Sequence, residues 1–262
     1  MLYKFAEKVE KHVHPASLPI KVKLLESEKD IPKKALRPKK DLDCQITPCH
    51  AWGLTCRQSL SIAMLKEDFN LDCGSALIIF GLIKPPKWWI EGNLAYGQFA
   101  GTREAAVNME KSVFRFEPGK YIGLAFSPLR KTDFDPDMVM LYCNSVQAML
   151  LVNAAIYEDG NPLDTTISAR NVCSDTIVQT IQTGKCQVSI PCAGDHLHGL
   201  AKDYEIIFSA PSHKLNSIMR GLDSVSRARA GDYKGETSIR LGKKSPVLMR
   251  YKKLREIIEE NY

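Results

Sequence analysis

The stretch FRFEPGKYIGLAFSPLRKTDFDPDMVMLYCNSVQAMLLVNAAIYEDG, residues 114–160, changes its periodicity twice, and that change limits the folds open to the chain. FRF, YIGLAFSPL and DMVMLYC carry the β-branched, aromatic and alternating apolar residues of strands. Glu117-Pro118-Gly119-Lys120 separates the first two and an Asp/Pro-rich turn separates the last two. From Ser145 the spacing becomes helical, with Val146, Met149, Leu150 and Ala154 on one face. A hairpin, a further strand and then an amphipathic helix call for a sheet with helices laid over it, hence an α/β or α+β fold.

The flanking sequence extends this pattern. Strands are expected in LPIKVKLLES around Val22, in QVSIPC around Val188 and in DYEIIFSAP around Ile206, beside those around Tyr121 and Val139. TCRQSLSIAMLKE predicts a helix with Thr55 as N-cap and Leu60, Ala63 and Met64 on its apolar face. Shorter helices are expected in DCGSALIIFGL, capped by Asp72, in TREAAVNMEKSV and after Cys173, and an amphipathic one follows Ser212. Residues 18–225 thus read as one core domain, a mixed sheet covered by helices. Residues 1–17 form an N-terminal helix or arm, and 226–262 a basic tail. A faint duplication runs through the core. KVKLLES, the Cys56 helix and DCGSALIIFGL occur in the same order as MVMLYCN, the Val146 helix and NVCSDTIVQTI, which would make Cys73 and Cys173 counterparts in two weakly related halves.

Charge and composition exclude several functions. No stretch approaches the roughly 18 apolar residues of a membrane span, and the start MLYKFAEKVEKHVHP lacks the apolar core of a secretion signal, so a cytoplasmic protein is expected. The net charge of +6 is concentrated in residues 227–262, where ten Lys/Arg face five Asp/Glu. Without interleaved aromatics or a nucleic-acid motif, this basicity reads as the solvated surface of a terminal helix rather than an RNA-binding face. A glycine-rich phosphate loop is absent. Asp195 and Glu205 offer acid/base groups, but no nucleophile is spaced to work with them. Eight cysteines remain, and in a reducing compartment thiols serve metals, redox chemistry or packing.

The chain resembles the domain of unknown function 169 family, a group of archaeal and bacterial proteins without an established activity. The resemblance rests on CRQSLSIA, DCGSALIIFGL, FSPL, PDMVMLYCNSVQAMLLVNAAIYEDG, VCSDTIVQTI and SIPCAGDHLHGLAKDYEIIFSAP, in that order, over residues 18–222. It selects Cys56, Cys73, Cys173 and Cys192 from the eight. Four thiolates suffice for tetrahedral zinc or a four-iron cluster, although no C-x-x-C pair occurs among them. Gly74 and Gly194, beside two of these cysteines, would let backbone approach a cofactor and donate hydrogen bonds to its sulfurs. Scattered ligands, little histidine participation and apolar surroundings favour an iron–sulfur cluster over zinc, serving a redox or cofactor-pathway partner. The alternative is a metal-free, small-molecule-binding enzyme or thiol redox sensor with Cys192 as the reactive group beside His196. Cys44, Cys49 and His50 form a further run that suits either a metal site or an exposed loop. Cys143 reads as core, Cys186 as a strand residue near Cys192, and His196 and His198 as surface groups.

Overall fold

The computed structural model describes residues 1–228 and 249–261. Six strands form one sheet: β1 (Ile20–Leu25), β2 (Ile62–Leu65), β3 (Gly123–Pro128), β4 (Met138–Cys143), β5 (Gln187–Ser189) and β6 (Ile206–Pro211). Their spatial order is β2-β3-β1-β4-β6-β5 and each pairing between them is antiparallel, so the architecture is α+β with an antiparallel sheet where a mixed one was expected. β4 lies inside the sheet and is buried on both faces, which explains its unbroken apolar sequence. Met138, Met140 and Tyr142 enter one core layer, and Val139, Leu141 and Cys143 the other.

The helices divide between these layers. On the first lie α3 (Pro48–Gln58), α4 (Ser75–Ile79) and the helical run 172–183, whose Ser174–Val178 turn is a π-helix continuing into α8 (Gln179–Thr183). On the second lie α1 (Leu2–His12), α7 (Ser145–Ala155) and α9 (Leu215–Ala228), while α2 (Pro38–Leu42), α5 (Lys87–Ile90) and α6 (Arg103–Ser112) belong to the connections between the first three strands. The N-terminal segment is therefore part of the core, with Phe5, Ala6 and Val9 buried under α9. The expected basic tail contributes one described element, α10 (Met249–Asn261), while residues 229–248 lie outside the described residues.

Several sequence expectations change. Asn70 rather than Asp72 caps the turn before α4, and Val146 and Met149 on α7 are exposed while Leu150 and Ala154 are buried. Two more changes concern strands. The helix expected to run from Thr55 through Met64 is instead α3 followed by edge strand β2. Thr47 Oγ1 accepts the His50 N–H at 3.3 Å, Pro48 occupies the first helical turn, and Ser59 at φ 60° ends the helix. Thr55 sits inside α3 and donates its hydroxyl to the Ala51 carbonyl at 2.9 Å. Leu60, Ala63 and Met64 fit a helical spacing, yet pairing with β3 extends the last two. The second change concerns FRF, which lies outside the named strands; Phe116 is buried and packs edge-on against Tyr121 at 5.0 Å.

The duplication has a topological basis, with a different correspondence. From either edge, the order is the second, third and first strand of its half: β2-β3-β1 and β5-β6-β4. In each half, a helix on the first layer lies between the first strand and the edge strand: α3 in one, 172–183 in the other. The sequence comparison had matched α3 with α7, but α7 packs on the opposite face. Cys49 and Cys173, in the first turns of α3 and of 172–183, are therefore counterparts. So are Cys73 and Cys192, which follow the edge strands β2 and β5.

Candidate functional site

Both cysteine pairs meet on the first layer, in the core that Trp52, Phe126, Tyr142 and Ile177 also occupy. Each thiol is delivered by a local backbone device. The Thr47–Pro48 start of α3 places Cys49 in its first turn, pointing into the core. Asn70 Oδ1 accepts the Asp72 N–H at 2.7 Å and shapes the 3-10 turn Leu71–Cys73, after which the Ala76 amide points at the Cys73 sulfur. Cys173 opens the 172–183 run, where the Ser174 N–H donates to the Asn171 carbonyl at 2.9 Å and lies beside the thiol. Cys192 precedes the π-helical turn Asp195–Gly199, whose Asp195 N–H donates to the Cys192 carbonyl at 2.9 Å, and the nearby Asp195 and Val172 amides favour the Cys192 thiolate. A π-helical turn thus follows closely on two of the four cysteines, a geometry common at functional sites.

The four thiols feel one another. Cys49 donates its S–H to Cys192, which lowers the Cys192 thiol to about 6 despite burial, and the Val172 and Asp195 amides add to the effect. The same hydrogen bond, with burial, pushes Cys49 well above its ordinary range. Burial lifts Cys73 to about 11, with the Cys192 charge adding to it. Cys173 is driven well above its usual value by burial and then by Cys73 and Cys192. One thiolate is therefore stable here, and ionising the others would require a cation. Cys49 and Cys173 form the deep side of the group, whereas Cys73 and Cys192 are half-buried.

Behind the thiols stands a fully buried carboxylate. Asp195 accepts Trp52 Nε1–H at 2.8 Å and the Tyr142 hydroxyl at 2.7 Å, and burial still holds it above the normal carboxylate range. Its negative charge raises both Cys49 and Cys192. Glycine contact holds this arrangement together. A Cβ on Gly53 of α3 would stand 2.9 Å from Gly199 Cα, so the two backbones touch where the Asp195 turn crosses α3. Arg57 braces the crossing, donating to the Gly199 carbonyl at 3.1 Å and to the buried Glu205 carboxylate at 2.8 Å.

Of the residues singled out from sequence, the structure brings Cys73, Cys173 and Cys192 together, with Cys49 as the fourth member. Cys56 lies seven residues along α3, about 10 Å by helical rise. Its thiol contacts the Gly53 carbonyl at 3.5 Å and is raised to about 12 by burial, its charged neighbours being Arg57, Asp195 and Glu205. Gly194 would carry a Cβ 3.7 Å from Cys192 Sγ, so this glycine flanks the sulfur; Gly74 abuts the Leu71 carbonyl beside Cys73. Cys186 and Cys143 belong to the opposite layer. Cys44 reaches the Pro38 carbonyl at 3.9 Å, His196 Nδ1 pairs with the Ala201 carbonyl at 3.0 Å, and His198 stacks on His50 at 4.4 Å. Among the described residues, no three His, Cys, Asp or Glu side chains close on a single ion. Sequence reasoning missed the Trp52–Asp195–Tyr142 network and gave Cys49 no place in the set; Thr47–Pro48 was the signal for the latter.

No helix among the described residues is long and apolar enough to cross a membrane. No solved structure matches the chain. An uncharacterized protein, MJ0308 of Methanocaldococcus jannaschii, is 24% identical over 159 residues, which cover 60% of this chain and 67% of that protein. The family described as uncharacterised ArCR, domain of unknown function 169, matches residues 8–221, a span that holds all six strands and all four converging cysteines, and the chain belongs to that family.

Proposed function

We propose that the chain is a cytoplasmic iron–sulfur protein whose cluster is held by Cys49, Cys73, Cys173 and Cys192, in exchange with a redox or cofactor-pathway partner. The observation that carries this reading is the convergence of four free thiols, from four separate segments, in one apolar layer. Four thiols, two buried and two half-buried, hold one thiolate between them and suppress further ionisation, so the site favours an occupant that carries positive charge. A cluster supplies that charge and also interposes iron and sulfide between the thiolates, so it takes ligands farther apart than one ion does. The preference for a cluster over zinc, whose bonds of about 2.3 Å draw four sulfurs onto one centre, rests on the apolar, histidine-poor surroundings of thiols drawn from four segments. The amides of Val172 and Ala76 lie beside the Cys192 and Cys73 sulfurs and would tune a cluster's potential. Eight free cysteines accord with a reducing compartment.

Anaerobic purification with iron and acid-labile sulfide analysis tests the proposal. About four irons per chain with a visible charge-transfer band supports it. Iron-free protein that does not take up iron and sulfide under reducing conditions refutes it. A second reading rests on the Cys49–Cys192 hydrogen bond. With thiolate present at neutral pH beside a partner thiol, Cys192 has the make-up of a metal-free redox sensor. Selective alkylation of Cys192 in protein that never acquires metal would favour it.

A further inference from the structure

A second feature lies outside the cysteine group, where the chain between α1 and β1 passes the end of α3. A cleft of about 440 Å³ opens there, lined by Pro15, Ser17, Leu18, Pro19, Cys56 and Arg57, with Glu10 at its rim. Its volume suits a small ligand. Two polar groups in it are under-used. The Ser17 hydroxyl is buried and finds no hydrogen-bond partner among the described residues, which costs stability unless something else satisfies it. Arg57 commits Nε to the Gly199 carbonyl and Nη2 to Glu205, leaving Nη1 as the remaining corner of its fork.

We propose that this cleft binds a small organic carboxylate, received by Arg57 Nη1 and the Ser17 hydroxyl, with its hydrocarbon part against Pro15, Leu18 and Pro19. A planar singly charged acceptor matches one guanidinium corner plus one hydroxyl. A multiply charged anion does not. Glu205 already balances Arg57 from behind, and the Glu10 carboxylate, paired with Arg130, stands at the rim. The same guanidinium braces Gly199 at the far end of the turn that follows Cys192, so an occupant of the cleft touches the side chain that seats this turn on α3.

The test is an amide-resolved NMR titration of the full chain with butyrate, with butyramide and inorganic phosphate as the comparison probes. Butyrate should shift the amides of Ser17, Leu18, Cys56 and Arg57 saturably. Butyramide, lacking the charge, should bind about tenfold more weakly. Ser17→Ala should weaken butyrate about tenfold without lowering the unfolding midpoint, since the hydroxyl it removes is unpartnered. Leu18→Trp, which fills the cleft from a partly exposed position, should abolish binding and keeps the proposal testable if Ser17→Ala fails to fold. Absence of saturable shifts, shifts that survive Leu18→Trp, or phosphate binding as tightly as butyrate would overturn the assignment. Repeating the titration on Cys49→Ser separates this proposal from the iron–sulfur reading, because butyrate binding should persist where iron is lost.

Discussion

Replacing Cys49 isolates what sets the Cys192 thiolate. In the metal-free, reduced chain the Cys49 S–H is the largest influence lowering Cys192 to about 6. A hydrogen bond to a charged group contributes about 1.5–3 kcal/mol, or roughly one to two pKa units. Cys49→Ala should therefore move Cys192 to about 7–8, whereas Cys49→Ser keeps a donor in place and should leave it near 6. The assay is the pH profile of Cys192 alkylation, followed by mass spectrometry of the modified peptide. The midpoint is the quantity to read, because thiolates of lower pKa are also weaker nucleophiles and absolute rates mix the two effects. Equal midpoints in wild type and Cys49→Ala would refute the claim that the two thiols are in contact. Both variants should lose iron if Cys49 is a cluster ligand, so metal content and midpoint respond differently to serine.

The remaining expectations concern the same layer. Cys56→Ser and Cys186→Ser should retain iron at the wild-type ratio, measured by metal analysis, because Cys56 lies two helical turns from Cys49 and Cys186 lies across the sheet. Tyr142→Phe should lower stability by about 1–3 kcal/mol in denaturant unfolding, since it removes a donor from the buried Asp195 while keeping the ring; an unchanged midpoint would contradict that hydrogen bond. For the metal-free chain, Cys192 has a folded value of about 6 against an ordinary 9.0, so the stabilisation it gives is complete above pH 9 and is lost as pH falls through 6. The stability gap between wild type and Cys192→Ser should accordingly widen from pH 6 to 9, by at most about 4 kcal/mol.

What could be read in the sequence follows from how local each cause is. The α+β class was visible because β4 is a short unbroken apolar run and α7 announces its start with Asn144, whose side chain accepts the Gln147 amide at 2.9 Å; of the apolar face expected on α7, Leu150 and Ala154 are buried while Val146 and Met149 are exposed. β2 was misread because four buried residues next to a helix satisfy both periods, and only pairing with β3 decides. That boundary also governed the site. Starting the helix at Thr55 rather than Pro48 made Cys56 an early helical residue and left Cys49 in a loop. The Trp52–Asp195–Tyr142 network had no local signature, since its members come from α3, β4 and the turn after β5.

The doubled arrangement of strands has a consequence in time. Cys49 and Cys73 belong to the half of the sheet that is synthesised first, and Cys173 and Cys192 to the half that follows. At about 5–20 residues per second, Cys192 emerges some 6–24 s after Cys73. During that interval the early thiols have no partners, and β1 offers β4 an unpaired edge. Closing the Trp52–Asp195 contact ties together positions 143 residues apart, a late and entropically costly step. Any cofactor bound by all four thiols must therefore be acquired after Cys192 has emerged, and a ribosome stalled before that point would present exposed thiols to oxidants instead of a finished site.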